Sequence, residues 1–113
     1  MEVMIIMRKI EIYEPAMCCP TGVCGPSVDQ ELLTITAITK EVNASEENRI
    51  YRRNLSQNPQ AFVRSEVVNQ KLKESGVEGL PLTLVDGQVY LEGKYPTIEQ
   101  IRELTGLKLE DIK

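Results

Sequence analysis

The sequence predicts one α/β domain with a mixed four-stranded sheet, the element order β-α-β-α-β-β-α and helices on both faces. Three observations support this fold class. The chain opens with a strand-helix-strand pattern, Asp86-Gly87 separates two short apolar runs, and a capped amphipathic helix follows them. A strand, a helix and a strand in succession imply parallel pairing through a right-handed crossover. Asp-Gly is the strongest short signal for an antiparallel hairpin, so the predicted sheet contains both kinds of pairing.

The first half of the chain supplies two strands and the helix between them. Residues 8–13 alternate in polarity, which is typical of a strand. A capping box at Ser27-x-x-Gln30 predicts the start of a helix, and apolar side chains then recur at steps of three and four along one face. These apolar positions are Val28, Leu32, Ile35, Ile38 and Val42. A second strand is predicted at 49–55.

The second half of the chain predicts two short helical segments, a hairpin and a last helix. Gly76 is the expected stop of the second helical segment, because glycine is common just past a helix end. Thr97-x-x-Gln100 is another capping box, and Gly106 is expected to end the helix that it begins. In chain order, the predicted ranges are helical segments at 59–62 and 65–75, strands at 82–85 and 88–92, and a helix that follows Thr97.

Length and composition bound the domain organisation and the class of partner. The chain has 113 residues and 42% hydrophobic residues, as expected for a single domain that covers 1–113. Residues 1–7 are apolar but too short for a signal sequence or a membrane span. We interpret them as a flexible or non-native extension, with Met7 as an alternative start. The formal charge of −4 offers no general attraction for nucleic acid, and an odd number of cysteines predicts a reducing compartment.

The predicted layout is thioredoxin-like, and it places a cysteine-rich loop where such sheets usually bind ligands. All three cysteines, Cys18, Cys19 and Cys24, follow the first strand and precede the first helix. Ligands of open α/β sheets gather at the carboxyl ends of the parallel strands. A helix N-terminus also favours thiolate over thiol. Position and chemistry together make these three cysteines the candidate binding residues.

The spacing of the cysteines favours a thiophilic ion with a low coordination number. Cys18 and Cys19 are adjacent, and neighbouring Cα atoms lie about 3.8 Å apart, which is less than the roughly 4.4–6.8 Å of a relaxed disulfide. Gly22 and Gly25 allow the loop to turn back and bring Cys24 toward the pair. Three soft thiols without a fourth ligand suit trivalent arsenic or antimony, which bind three thiolates in a neutral complex.

Three alternatives stay open for the same cysteines. Cysteine is often a buried core residue, although three in one Gly/Pro-rich loop would be an unusual core pattern. A structural zinc site normally has four ligands. The chain has no histidine, and Glu14 or Asp29 would be a poor fourth ligand. A thioredoxin-like thiol-disulfide oxidoreductase normally uses Cys-x-x-Cys, which is absent, although a disulfide from Cys24 to Cys18 or Cys19 is geometrically possible.

Several motifs of the chain resemble those of one family of arsenical-resistance proteins. In chain order they are Tyr13-Glu14-Pro15-Ala16-Met17-Cys18-Cys19-Pro20-Thr21-Gly22-Val23-Cys24-Gly25, Asn54-Leu55, Asn58-Pro59-Gln60-Ala61-Phe62-Val63, Glu78-Gly79-Leu80-Pro81-Leu82, Asp86-Gly87 and Gly93-Lys94-Tyr95-Pro96. They span nearly the whole chain, and the cysteine segment is the specific one among them. On these residues the chain is similar to the ArsD family of arsenical-resistance operon trans-acting repressors and arsenic metallochaperones.

The resemblance implies a thioredoxin-like fold, a cytoplasmic location and a homodimer. It implies a chaperone that carries trivalent arsenic or antimony as cargo to the ATPase of the arsenite-efflux pump, without an organic cofactor, a membrane contact or enzymatic turnover. It also implies weak repression that arsenite releases, and therefore operator DNA as a further partner. Carried over to this sequence, the metalloid ligands are Cys18, Cys19 and Cys24. Better-known members carry vicinal cysteine pairs near the C-terminus. This sequence has none up to Lys113, so any regulation is expected to use the single site.

Three further features have both a functional and a structural interpretation. Pro81 occupies the place where thioredoxin-like proteins carry a cis-proline beside the active loop, or it is an ordinary proline at a strand entry. A set of arginines forms either a DNA-contacting patch or, as we prefer, a solvated strand face and loop. These are Arg49, Arg52, Arg53 and Arg64. Glu14, next to the cysteine loop, is a candidate acceptor for a thiol proton.

Overall fold

The computed structural model of the chain describes residues 8–15, 30–45, 48–107 and 109. Within these ranges the order of elements confirms the predicted one, with the two short helical segments present as separate helices. The strands are β1 (Arg8–Glu14), β2 (Asn48–Asn54), β3 (Leu82–Val85) and β4 (Gln88–Glu92). The helices are α1 (Gln30–Asn43), α2 (Pro59–Arg64), α3 (Glu66–Ser75) and α4 (Ile98–Thr105), with a 3-10 turn at Gly76–Gly79.

The four strands form one mixed sheet in the order β2-β1-β3-β4. β1 and β2 pair in parallel, whereas β3 pairs antiparallel with both β1 and β4. α1 lies in the connection between the two parallel strands. A parallel pair requires such a crossover, because the chain must return from the carboxyl end of one strand to the opposite end of the sheet before the next strand begins. The strand order makes β1 and β3 interior strands. The carboxyl ends of β1 and β2 lie at the same end of the sheet, because the two strands are parallel.

One face of the sheet packs against α1 and α4. Ile10 and Ile12 of β1 are fully buried and belong to the same cluster as Ile50 of β2. The helices contribute Ile35, Ile38, Val42 and Ile101 to this cluster. Each fully buried aliphatic side chain is worth roughly 1.5–3 kcal/mol. This packing holds α1 in place although its β-branched residues weaken the local helix propensity.

α2 and α3 cover part of the opposite face. The rings of Tyr13 in β1 and Phe62 in α2 meet edge to face with centroids 5.1 Å apart, and both are buried in a cluster with Val68 of α3. Glu11 and Tyr13 are buried although they alternate with the core isoleucines of β1, because this interior strand is covered on both faces. Helices on both faces of the mixed sheet confirm the predicted thioredoxin-like fold.

The predicted Asp86-Gly87 hairpin is confirmed. Asp86 and Gly87 have positive φ angles of 52° and 88°, as a type I′ turn requires at both central positions. The Asp86 carboxylate accepts hydrogen bonds from the Lys9 amide at 3.0 Å and from Nη1 of Arg8 at 2.9 Å. These contacts, the Lys9 amide first, lower the pKa of Asp86. The hairpin is thereby attached to the start of β1.

The ends of α4 also follow the sequence prediction. Oγ1 of Thr97 accepts a hydrogen bond from the Gln100 amide at 3.2 Å, and Oε1 of Gln100 accepts one from the Thr97 amide at 2.9 Å. This reciprocal pair is the predicted capping box. Gly106 ends the helix with a φ of 76°, and its amide donates to the carbonyl of Arg102 at 2.8 Å. Local residue chemistry therefore sets both boundaries.

Other boundaries differ from the prediction by one or two residues. β2 begins one residue before the predicted range 49–55, and α2 continues to Arg64. The 3-10 turn at Gly76–Gly79 was not predicted, although Gly76 does follow the end of α3. The capping box at Ser27 and the side chain of Val28 lie outside the described residues. None of the helices in the described ranges is long and apolar enough to cross a membrane.

Candidate functional site

The structure describes the two ends of the cysteine segment. Pro15 follows β1 directly, and Gln30 begins α1 in the described part of the chain. The three predicted cysteine ligands between these two residues lie outside the described residues, as does Asp29, the alternative fourth ligand. Those ligands are Cys18, Cys19 and Cys24. The residues around the two ends are therefore the described part of the candidate site.

A buried ion pair fixes the end of β1. Glu14, the last residue of β1, is fully buried, and its carboxylate accepts hydrogen bonds from Nε of Arg52 at 2.9 Å and from Nη2 of Arg52 at 2.6 Å. The Arg52 side chain is only 8% exposed. Charge-assisted contacts at two points fix direction as well as charge. The pair therefore joins the end of β1 firmly to the neighbouring strand β2.

The same ion pair reaches two further elements. The hydroxyl of Tyr95, in the loop before α4, donates to Oε1 of Glu14 at 2.7 Å. Nη1 of Arg52 donates to Oγ1 of Thr36 in α1 at 2.9 Å. We call Glu14, Arg52, Tyr95 and Thr36 the Glu14 cluster. It connects β1, β2, α1 and the loop before α4, next to the point where the cysteine segment begins.

A cis-proline lies at the same end of the sheet. The peptide bond between Leu80 and Pro81 is cis, and Pro81 is buried. The antiparallel register sets Leu82 opposite Tyr13. Pro81 precedes Leu82 and Glu14 follows Tyr13, so Pro81 lies beside Glu14. Pro81 is therefore a cis-proline beside the end of β1 and directly before β3, a place that fits both interpretations of this residue.

The contacts of Glu14 argue against a role as fourth metal ligand and against a role as acceptor of a thiol proton. Both carboxylate oxygens already accept hydrogen bonds, from Arg52 and from Tyr95. A role as fourth ligand or as acceptor of a thiol proton would require some of these contacts to break. Sequence reasoning missed the ion pair, although a signal was present. The strand period of two places Arg52 on the same face as the buried Ile50, and a buried cation is almost always paired.

The four arginines do not form one patch, and the preferred interpretation as a solvated face is wrong for Arg52. That side chain points to the α1 and α4 side of the sheet and is buried. Arg53 lies on the opposite side, where Nη1 donates to Glu11 at 2.8 Å. Arg49 donates to backbone carbonyls at the end of α1, and Arg64 is exposed and lies 3.4 Å from the side chain of Gln60. Strand alternation separates Arg52 from Arg49 and Arg53, and Arg64 lies in α2.

The described residues on either side of the cysteine segment contain no group of metal ligands. Within residues 8–15, 30–45, 48–107 and 109, no three histidine, cysteine, aspartate or glutamate side chains come together as a metal-binding group. The chain has no histidine, and its three cysteines all lie between Pro15 and Gln30. Soft thiolate chemistry at this site would therefore come from the cysteine segment alone.

Tyr95 predicts a specific dependence of stability on pH. Burial first, and then the hydrogen bond and charge of Glu14, raise the pKa of Tyr95 above its ordinary value of 10.0. The folded chain thus keeps this proton after the unfolded chain has released it, so the contribution of Tyr95 is complete below about pH 10 and is lost as the pH rises further. Tyr95→Phe should destabilise the fold by about 1.5–3 kcal/mol at neutral pH, and this difference should shrink above about pH 10.

Urea unfolding of the wild type and of Tyr95→Phe, at neutral and at alkaline pH, measures how their difference in stability changes with pH. Tyr90→Phe is a suitable control, because Tyr90 is 37% exposed and surface substitutions usually change stability by less than about 0.5 kcal/mol. A difference between wild type and Tyr95→Phe that stays constant through alkaline pH would show that the Glu14 contact does not hold the Tyr95 proton.

Comparison with known proteins gives the same family at the level of sequence. A family profile described as "Arsenical resistance operon protein ArsD" matches residues 7–113. Two Escherichia coli proteins named "Arsenical resistance operon trans-acting repressor ArsD" are 39% and 38% identical to the chain over 106 residues. Each alignment covers 94% of this chain and 88% of the relative.

A solved structure gives the same result at the level of the fold. The crystal structure of an arsenical resistance operon trans-acting repressor from Bacteroides vulgatus ATCC 8482 superposes with a TM-score of 0.83 and is 42% identical in sequence. The match covers 88% of this chain and 93% of the other. The profile match over nearly the whole length, the curated relatives and the shared fold agree, and the chain therefore belongs to the ArsD family of arsenical-resistance operon proteins.

Proposed function

We propose that this chain binds trivalent arsenic or antimony through Cys18, Cys19 and Cys24 and passes it to the ATPase of the arsenite-efflux pump. The observation that carries the proposal is the position of these cysteines in a member of the ArsD family. They lie in the sequence between the strand that ends at the buried Glu14 and the helix α1. Three soft thiols in a chain without histidine suit a thiophilic trivalent ion better than zinc, which normally takes four ligands.

The proposed chemistry is ligand exchange without turnover. As(OH)3 reacts with three thiols, so that three As–S bonds form, three As–O bonds break and three waters leave. No electrons are transferred, and the complex is neutral. Adjacent Cys18 and Cys19 provide two ligands without the entropy of closing a long loop, and Cys24 completes the set. Delivery proceeds thiol by thiol, since each cysteine leaves arsenic as a cysteine of the acceptor replaces it.

Repression of the arsenical-resistance operon is the second proposed activity. Its support is that the curated relatives and the matched crystal structure are named as trans-acting repressors. We propose that the arsenite-free chain, as a cytoplasmic homodimer, binds operator DNA weakly and that arsenite releases it. A net charge of −4 favours few phosphate contacts, and few contacts give a shallow dependence of affinity on salt. Binding of labelled operator DNA with and without arsenite tests this activity separately.

Native mass spectrometry of the reduced protein with stoichiometric arsenite tests the metalloid site. The expected product has one arsenic added and three protons lost for each chain. Cys18→Ser, Cys19→Ser and Cys24→Ser should each bind more weakly, by about tenfold or more, which corresponds to 1.4 kcal/mol. A variant with all three substitutions is the control for arsenic bound elsewhere. Mixing the loaded protein with the purified pump ATPase then shows whether the arsenic changes carrier.

The competing function is that of a thioredoxin-like thiol-disulfide oxidoreductase. It predicts a reversible disulfide from Cys24 to Cys18 or Cys19 and reaction with thiol reductants. Absence of an arsenic adduct, or an adduct that is unaffected by loss of Cys24, would contradict the metalloid site. Detection of that disulfide in the same samples would then support the oxidoreductase.

A further inference from the structure

The presence of a buried ion pair in the Glu14 cluster is not explained by stability alone. A buried ion pair is often no more stabilising than well-packed apolar residues of similar volume, because removing both charges from water costs as much as their attraction returns. In this chain the pair is nevertheless buried: the Glu14 side chain is fully buried, and the Arg52 side chain is 8% exposed. What such a network adds is a fixed geometry among the elements that it joins.

A second cluster, also built on a glutamate, an arginine and a tyrosine, shows what is particular to the first. On the opposite face of β1 and β2, Glu11 accepts hydrogen bonds from Nη1 of Arg53 at 2.8 Å and from the hydroxyl of Tyr13 at 3.1 Å. All three residues lie on the two neighbouring strands, and the Arg53 side chain is 25% exposed. We call Glu11, Arg53 and Tyr13 the Glu11 cluster. A glutamate, an arginine and a tyrosine therefore meet on each face of this strand pair, but of the two clusters only the Glu14 cluster reaches α1 and the loop before α4.

The Glu14 cluster connects the two elements between which the cysteine segment lies, β1 and α1. Glu14 immediately precedes Pro15, where the segment leaves β1, and Thr36 lies in α1, the helix that the segment enters at Gln30. The contacts from Glu14 to Arg52 and from Arg52 to Thr36, at 2.6–2.9 Å, thus join the residue before Pro15 to α1 at a point six residues after Gln30. A segment whose ends are fixed loses less freedom when its side chains close around one atom.

We infer that the Glu14 cluster positions the cysteine segment for metalloid binding, with Arg52 and Thr36 as positioning residues that touch no metalloid themselves. The inference rests on the proposed function. Side chains that support metal ligands without binding the metal typically change metal affinity by about 10–100-fold when they are replaced. The Glu14 cluster acts on the cysteine thiols through the ends of the segment that carries them, and the Glu11 cluster does not.

Arginine-to-lysine substitutions in the two clusters form a matched test. Arg52→Lys keeps the positive charge, but a single ammonium cannot reproduce the two-point contact to Glu14 together with the contact to Thr36. Arg53→Lys makes the same change in the Glu11 cluster. We expect the dissociation constant for arsenite, measured by calorimetry under conditions where all proteins are folded, to rise about tenfold or more in Arg52→Lys. In Arg53→Lys it should change by less than about twofold, because that cluster does not reach α1.

Substitutions at Thr36 separate positioning from a general loss of stability. Thr36→Val keeps the shape of the side chain but removes the oxygen that accepts the hydrogen bond from Arg52, whereas Thr36→Ser keeps that oxygen. Thr36→Val should raise the dissociation constant for arsenite and Thr36→Ser should restore it to within about twofold of wild type, even where the two variants have the same urea midpoint. Because Thr36 is only partly buried in α1, this pair also serves if Arg52→Lys fails to fold.

Each outcome of these measurements decides the inference. Arsenite binding that is equal in Thr36→Val and Thr36→Ser, or equal in Arg52→Lys and Arg53→Lys, would overturn the positioning role while leaving the three-thiolate site intact. Failure of the wild-type chain to bind arsenite at all would instead contradict the proposed function and this inference with it.

Discussion

Glu14→Ala should lower the free energy of unfolding by about 3–5 kcal/mol, because removal of one member of a buried ion pair leaves the other charge uncompensated. The Arg52 side chain is 8% exposed and donates two hydrogen bonds to the Glu14 carboxylate, and Tyr95 donates another. A domain of this size has a total stability of about 5–15 kcal/mol. The variant should therefore be close to unfolding, and urea denaturation followed by far-ultraviolet circular dichroism measures the loss.

Glu11→Ala is the matched control for this prediction. Glu11 is also paired with an arginine, but the Arg53 side chain is 25% exposed and can reach water when its partner is removed. We therefore expect a smaller loss than for Glu14→Ala. A further variant that replaces both Glu14 and Arg52 by methionine should recover much of the stability, since no charge is left buried. A loss of less than about 1 kcal/mol in Glu14→Ala, which is typical of a surface pair, would contradict the buried contact.

Phe62→Ala should have an effect of similar size on the other face of the sheet. Phe62 is 1% exposed, and its ring meets that of Tyr13 edge to face at 5.1 Å. Truncation of a buried phenylalanine typically costs about 3–5 kcal/mol, from the lost transfer free energy and the remaining cavity. The same urea denaturation experiment measures this loss.

The neighbouring Val63→Ala provides the control for Phe62→Ala. Val63 lies in the same helix but is 69% exposed, so its truncation should change the stability by less than about 0.5 kcal/mol. Equal effects of the two substitutions would show that α2 does not pack against β1 through Phe62.

Features set by neighbouring residues could be predicted from the sequence. The Asp86-Gly87 turn and the capping box at Thr97 and Gln100 each depend on a few residues whose conformational preferences or side chains act locally. The inward face of α1 was also predictable, because a helix repeats its apolar positions every three or four residues. Of its described members, Ile35, Ile38 and Val42 are buried, and Leu32 is partly buried and packs against the same cluster.

Features that depend on distant parts of the chain were harder to predict. Glu14 and Arg52 are 38 residues apart and meet only because β1 and β2 pair in parallel with Glu14 opposite Asn54. Tyr95 is 81 residues from Glu14 and comes from a loop whose path no local pattern determines. The alternation of β2 indicated the face on which Arg52 lies, but its partner followed only from the strand register.

Cys18, Cys19 and Cys24 are proposed to bind one trivalent arsenic together. X-ray absorption spectroscopy at the arsenic edge, on the reduced chain loaded with one equivalent of arsenite, counts the sulfur atoms around arsenic directly. Three sulfur neighbours and no oxygen in the wild type, with two sulfur neighbours and one oxygen in Cys24→Ser, are the expected results. An oxygen neighbour in the wild type, or an unchanged sulfur count after loss of Cys24, would contradict the three-thiolate site.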